Sequence, residues 1–252
     1  MDAPLHQLAA IGAPTTAAAF VEGLGLWDDP GRGERPRVVA AMIGAADGRA
    51  TIAGSASGLG SPADRAVLRE LRTASDALLV GPGTLIAERY ATVLDSPQRE
   101  RRVARGLPGE PLVATISRHA RAELAEVPLF AEPGLRIQVY TEADPGPELS
   151  RGADVQVERV AAGTLTTAAC LEHLYARRGV RALVCEGGPT LLHALLAQGL
   201  VDDLVLTLAP VLVAGEGRSI VHGDLLDPPA RFTLNDVLRA DDHLFLHYTA
   251  SS

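Results

Sequence analysis

Apolar residues along this chain fall into short blocks separated by glycine, proline and charged residues. The block RVVAAMIGA at 37–45 is unbroken and runs into Asp47-Gly48, which predicts a buried strand followed by a turn. Similar blocks at 76–80 (DALLV), 111–116 (PLVATI), 135–140 (LRIQVY), 154–160 (DVQVERV), 180–185 (VRALVC) and 201–209 predict further strands. Stretches of helical spacing lie between them. Ser61-Pro62 places an N-cap and a first-turn proline ahead of ADRAVLRELRTA, with Ala66, Leu68 and Leu71 on one side. The helix predicted over 166–178 begins at Thr166 or Thr167, carries Leu171, Leu174 and Tyr175 at helical spacing, and ends before Gly179. Another, LLHALLAQG, follows Glu186-Gly187-Gly188-Pro189-Thr190 and stops at Gly199, and a short one is expected around 15–24. RFTLNDVLRA and DDHLFLHYTA read as a C-terminal antiparallel pair. Strands alternating with helical pieces make the class α/β.

Two segments read as irregular: QRERRVARG at 98–106, taken as a solvated surface loop, and the Gly/Asp/Pro-rich stretch 210–229. No linker or composition break divides the chain, so 37–252 is expected to form one domain. Residues 1–36 read as an N-terminal extension that packs on it and covers a sheet edge.

Charge changes the picture more than composition does. Lys+Arg number 23 against 31 Asp+Glu, a net charge of −8, and every one of those cations is arginine. The absence of lysine excludes Schiff-base catalysis and the lysine-dependent phosphate loop, and argues against kinase-type phosphoryl transfer. The acidic balance argues against nucleic-acid or anionic-membrane partners, while local arginines can still hold a small anion. With 47% hydrophobic residues the chain can build a sizeable core, yet no apolar stretch approaches the roughly 20 residues that cross a bilayer. The first residues, MDAPLHQLAAIGAP, lack the features of a secretory signal, so a cytoplasmic protein is expected. Cys170 and Cys185 are expected as free thiols, and no His/Cys spacing suggests a metal site.

Candidate chemistry gathers at the turns. Glycines at 81–83 and 187–188 follow strands and open helices, where free backbone N–H groups converge and bind phosphates; neither matches the Gly-x-Gly-x-x-Gly fingerprint. The small, polar segment TIAGSASGLGSP can approach a flat ligand closely. With Asp47-Gly48 as a third rim these turns point to a dinucleotide site, the alternative being tight turns with no ligand. Asp47 is either a turn former or a carboxylate beside the ligand. Glu186, at a strand end, lies at the carboxyl edge of a sheet, where ligands bind. Arg72, late in a surface helix, either clamps an anion or merely offsets the helix dipole. His243 and His247 share one face of a strand, directed to solvent or a partner edge; His173 and His193 sit in helices, and only His193 is near the Gly-Gly turn.

The segments AADGRATIAGSASGLGSPADR, LRELRTASDALLVGPGTLIAER and VCEGGPTLLHALLAQGLVDDLVLTLAPVLVAG occur in that order. Through them, and over about 37–249, the chain resembles the reductase domain of the bifunctional riboflavin-biosynthesis deaminase/reductase. The resemblance implies a dihydrofolate reductase-like fold: a mixed central sheet flanked by helices, with an antiparallel C-terminal hairpin. It also implies NADPH-dependent reduction of a ribosylaminopyrimidine 5′-phosphate to the ribitylamino form, as in 5-amino-6-(5-phosphoribosylamino)uracil reductases. Carried over residue by residue, it assigns cofactor contacts to Thr84, Glu88, Ser117, Gly187, Gly188, Pro189, Thr190 and Leu191, with the cradle extending to His193 and Arg118 as a partner for the 2′-phosphate. Substrate contacts fall to Ser57, Arg72 on the sugar phosphate and Glu186 on the pyrimidine edge. Asp47 and Glu186 become the catalytic candidates, and a homodimer is implied. The companion deaminase's zinc motif, His-x-Glu with a later Pro-Cys-x-x-Cys, does not occur in these residues.

The departures fall on the substrate side. Ala41 and Ala45 stand where the family commonly has Lys or Asn and Ser, Glu88 stands for Asp, and Arg89-Tyr90-Ala91-Thr92-Val93-Leu94 replaces the usual Asp-Pro and its substrate-binding arginine. Two rivals therefore stand beside the reductase reading: reduction of dihydrofolate or another pterin, and an NADPH-binding regulatory protein whose active site has decayed.

Overall fold

The computed structural model describes residues 13–28, 31–144 and 146–251. Its centre is a nine-stranded sheet in the order β5-β4-β3-β2-β6-β1-β7-β9-β8. In chain order the strands are β1 (Arg37–Ala45), β2 (Ala77–Leu79), β3 (Leu112–Ile116), β4 (Arg136–Thr141), β5 (Asp154–Arg159), β6 (Ala182–Cys185), β7 (Asp203–Ala209), β8 (Phe232–Ala240) and β9 (His243–Ala250). Strands β1–β7 pair in parallel, and β9 runs antiparallel to both β7 and β8. The mixed sheet with a C-terminal hairpin is the architecture the sequence predicts.

The helices are α1 (Ala17–Gly23), α2 (Pro62–Ala74), α3 (Pro82–Ala87), α4 (Ser96–Ala104), α5 (Thr167–Arg178) and α6 (Pro189–Leu196). Alternate residues of β1 feed two cores. Val39 joins Phe20 and Val21 of α1 and Val67 and Leu71 of α2 on one face. Val38, Ala40 and Met42 meet Leu171 and Leu174 of α5 and Leu192 and Leu195 of α6 on the other. Parallel strands covered on both faces read as unbroken apolar runs, which is why 37–45 was legible. The helix α1, in the described part of the extension, thus lies on a face of the sheet near its middle and not along an edge, and Arg37 fastens it by donating to the Leu24 carbonyl at 2.6 Å.

Capping explains the helix boundaries. Ser61 accepts from the Asp64 N–H, Thr16 from Ala19 and Thr166 from Ala169, while Gly179 ends α5 in the left-handed region that its missing Cβ permits. The core face of α2 is Val67, Leu71 and Ala74, one step round from the Ala66/Leu68 stripe expected, because this helix also flanks a cleft and turns Leu68 toward it.

The largest correction concerns 98–106. This stretch is not a solvated loop: Asp95 and Gln98 form a capping box that starts α4, and Arg102 is fully buried. Its guanidinium donates to the carbonyls of Thr73 (2.8 Å), Ser75 (2.5 Å) and Pro108 (2.9 Å), so one cation closes the C-terminal end of α2. Burial pulls Arg102 down to about 10. The run of like charges hid that one member points inward.

Candidate active site

A cleft of about 1090 Å³ opens along the carboxyl ends of the parallel strands. Its lining follows the sheet: Ile116, Arg118 and Arg121 at and after the end of β3, Gly81–Thr84 with Ala87 and Glu88 after β2, Glu186 and Gly188–Leu191 after β6, Ala41–Ile43 in β1 with Ala50, Thr51, Gly54, Ala56 and Ser57 beyond it, and Arg218 in the loop beyond β7. Four strand spacings of about 4.8 Å put its ends about 19 Å apart. That is room for an extended dinucleotide and a second ring.

The middle of the cleft is built around close backbone approach. Gly81 N–H donates to the Gly187 carbonyl at 2.6 Å, and the Gly187–Gly188 peptide is cis. A Cβ on Gly81 would meet Gly188 N at 2.9 Å, and one on Gly188 would meet Thr84 Oγ1 at 2.7 Å. Gly188 caps α6 with no side-chain acceptor, so the first amides of this helix are left for another partner. This Cβ-free cradle with free donors fits the pyrophosphate of a nicotinamide dinucleotide. Pro189, Thr190 and Leu191 line the cleft beside Gly188, whereas Gly187 does not. His193 turns away and bonds the Asp224 carbonyl at 2.8 Å, fixing the 222–224 turn.

Glu186 sits on the cleft floor with its side chain only 3% exposed. Arg72 grips it with Nε on Oε1 (2.6 Å) and Nη2 on Oε2 (2.7 Å), and Tyr90 donates its phenol to Oε2 at 2.5 Å. The Arg72 guanidinium also lies 5.3 Å from the centre of the Tyr90 ring. Burial works against the charge of Arg72, and Glu186 outweighs it, so Arg72 ends above its ordinary value; burial and then Glu186 drive the Tyr90 phenol well above its own. Arg72 is therefore an internal cation and not the surface residue its helix position suggested. Tyr90 was missed: in sequence it is one residue of a departure from the family, and nothing in the linear order shows that it meets Glu186.

The remaining candidates separate. Ser57, Thr84 and Glu88 line the cleft. Glu88 accepts from the Ala56 N–H (2.8 Å) and the Ser55 hydroxyl (3.1 Å), so it pins the 55–57 loop. Ser117 does not line the cleft; it is buried behind Ile116 and Arg118, its hydroxyl accepting from the Arg121 N–H. Asp47, expected beside the ligand, also lies outside. Its carboxylate accepts from the N–H groups of Ala214 (2.6 Å), Arg49 (3.4 Å) and Val213 (3.0 Å), which holds it below the usual carboxylate range and ties down the 210–214 loop. The turn-forming role is what the geometry displays.

A second missed residue is Asp64. It lines the cleft from the first turn of α2, and burial raises its carboxyl above the ordinary value against a hydrogen bond with Thr207 and the nearby His243. Of the two places expected for the strand histidines, solvent or a partner edge, the structure shows neither side chain directed simply to solvent. His243 bonds the Leu59 carbonyl, and His247 is buried between Asp203 and Asp236, 3.0 Å from each. Both cysteines are free and buried, and the described residues hold no cluster of metal-binding side chains. No described helix is long and apolar enough to cross a membrane.

A mixed sheet with a large cleft at the carboxyl ends of its parallel strands, cradled by glycine turns, is an α/β architecture that binds its ligand at the strand ends. Residues 36–246 match the RibD C-terminal domain, and the chain belongs to that reductase family. It is 33% identical over 164 residues to the 2,5-diamino-6-ribosylamino-4(3H)-pyrimidinone 5′-phosphate reductase of Archaeoglobus fulgidus, covering 63% of this chain and 72% of the relative. To the enzyme of the same name from Methanothermobacter thermautotrophicus it is 30% identical, over 85% of this chain and 98% of that one. Among solved structures, a pyrimidine reductase-like protein from Corynebacterium diphtheriae superposes with a TM-score of 0.78 at 25% identity, covering 94% of this chain and all of that one. Acinetobacter baumannii RibD shares the fold, with a TM-score of 0.69 at 21% identity, over 87% of this chain and 59% of its own.

Proposed function

We propose that this protein reduces a ribosylaminopyrimidine 5′-phosphate with NADPH, converting the ribosylamino group to a ribitylamino chain. The observation that carries the reading is that a chain of this family brings Ser57, Thr84, Glu186 and Gly188–Leu191 onto one cleft. The two archaeal relatives favour the diaminopyrimidinone as first substrate, with the deaminated uracil form as the second to test.

NADPH held in the glycine cradle supplies the hydride. Gly188, Thr190 and Leu191 offer the pyrophosphate a helix N-terminus, and Arg118 and Arg121, on the lining after β3, are the cations for the extra phosphate that separates NADPH from NADH. Glu186, gripped by Arg72, has a free lone pair on Oε1 for an N–H of the pyrimidine. Hydride addition at the sugar C1 opens the ring, and its oxygen takes a proton. Asp64, a lining carboxyl that burial raises above its ordinary value, is assigned to supply that proton. Met42, Ile43 and Leu68 keep water from the reacting carbon. Overall, substrate, NADPH and one proton give the ribitylamine and NADP+.

We place the enzyme in the cytoplasm as a homodimer. Support for the dimer is the exposed edge strand β8 with Leu234 48% exposed, and the apolar side chains Leu212 and Leu225, 78% and 90% exposed, in the adjoining loop. A monomeric mass in light scattering overturns it.

The activity is tested by following NADPH absorbance with the diaminopyrimidinone, the uracil form and dihydrofolate in parallel. Oxidation with a ribosylaminopyrimidine supports the reading. Oxidation with dihydrofolate alone moves the enzyme to the pterin class, and tight NADPH binding without any turnover identifies a decayed site.

A further inference from the structure

Building on that reading, the substrate phosphate needs a cation, and Arg72 is not free to supply it. Two of its nitrogens are held by Glu186, its Nη1 reaches the Val93 carbonyl at 3.4 Å, and it does not line the cleft. Tyr90 locks the arrangement from the other side of Glu186. A phosphate drawn to Arg72 would have to break a buried bidentate pair and strand the carboxylate.

The chain has no lysine, and the cations that line the cleft are Arg65, Arg118, Arg121 and Arg218. They divide by position. Arg118 and Arg121 follow β3, two strands from β6 and the α6 N-terminus that follows it. Arg65 and Arg218 line the β1/β7 side: Arg65 follows Asp64, which hydrogen-bonds Thr207 of β7, and Arg218 is tied to Ala50 just after the neighbouring β1. The chain around Arg218 is fastened to the turn after β1: its carbonyl accepts from Ala50 N–H at 2.9 Å, Ile220 N–H donates to the Gly48 carbonyl at 3.1 Å, and Arg49 donates to the Gly217 carbonyl. Arg65 stands in the first turn of α2, whose start is set by the Ser61 cap. Both guanidiniums are exposed, and among the described residues neither is hydrogen-bonded to a carboxylate.

We propose that Arg65 and Arg218 form the seat for the substrate's 5′-phosphate, while Arg72 serves as a positioning residue for Glu186. Two forked donors at one rim suit a dianion, and their exposure makes the contact salt-sensitive.

The test is titration calorimetry of the NADP+-saturated protein with ribose 5-phosphate and with ribose, for wild type, Arg65→Gln, Arg218→Gln and the double variant. KM values for the phosphorylated pyrimidine and for NADPH are measured alongside. Wild type is expected to bind ribose 5-phosphate at least about tenfold more tightly than ribose, the worth of one charged hydrogen bond or more. The double variant should lose that preference and raise the pyrimidine KM while leaving the NADPH KM unchanged. A wild type without preference for the phosphate, or a double variant that keeps it, overturns the proposal. Phosphate preference lost in the double variant, together with no pyrimidine turnover by wild type, would uphold the seat and overturn the assigned reaction instead.

Discussion

Two buried charge clusters stand on the strands that flank β1, and only one of them faces a cleft. Glu186, after β6, is held by Arg72 and Tyr90. Asp203, at the start of β7, is held by Arg37 through Nε (2.7 Å) and Nη2 (2.9 Å) and by His247, which also reaches Asp236 of β8. Each centres on a carboxylate at most 3% exposed with a bidentate arginine on it. The difference is position: Glu186 lies at the carboxyl end of its strand and lines the cleft, while Asp203 opens the amino end of its strand and ties β1, β7, β8 and β9 together. Burial and charge mark both; only the strand end marks the site.

The comparison breaks most sharply on the two carboxylates. Glu186→Ala and Asp203→Ala each leave an arginine unpaired, and both should lose about 3–5 kcal/mol of stability in chemical denaturation. Turnover per folded molecule should separate them, falling about 100-fold or more for Glu186→Ala and staying near wild type for Asp203→Ala. Equal losses of turnover would remove the distinction between site and staple.

Tyr90→Phe sharpens it by a smaller amount. It removes the phenol from Glu186 but keeps the ring, costing about 1–2 kcal/mol in stability and raising the pyrimidine KM, with the NADPH KM unmoved. An NADPH effect would mean that the cluster supports the cofactor.

The hidden cluster has a pH signature. Burial works against the charge of His247, and Asp203 and Asp236 outweigh it, so its folded value lies above the ordinary 6.5. A raised histidine contributes stability that is fully present below the unfolded value and is lost as pH rises through the folded one. Melting temperature should therefore fall as pH climbs above 6.5, and His247→Gln should flatten that part of the curve. An unchanged profile in the variant would assign the fall to another group. The smallest effect is expected at Asp47: Asp47→Ala should speed hydrogen exchange at Val213 and Ala214 without changing turnover.

The sheet was legible because its parallel strands are apolar on both faces, and the helices because Ser61, Thr166 and Gly179 mark their ends. The Arg102 helix was not, since one inward arginine among several outward ones carries no signal in the one-dimensional pattern. Glycines 81 and 188 were legible as turns, but their mutual approach depends on strands 2 and 6 being neighbours. Tyr90, Asp64 and the ordering of arginines at the two ends of the cleft depend in the same way on topology.

The central claim is hydride transfer to a sugar carbon in this cleft, and isotope transfer tests it most directly. NADPH carrying deuterium at both C4 positions is mixed with the diaminopyrimidinone ribosylamine phosphate, and the product is examined by mass spectrometry. The account predicts a ribitylamine carrying one deuterium at C1 of the opened chain. Product without the label, or NADPH recovered unoxidised beside intact substrate, would contradict it.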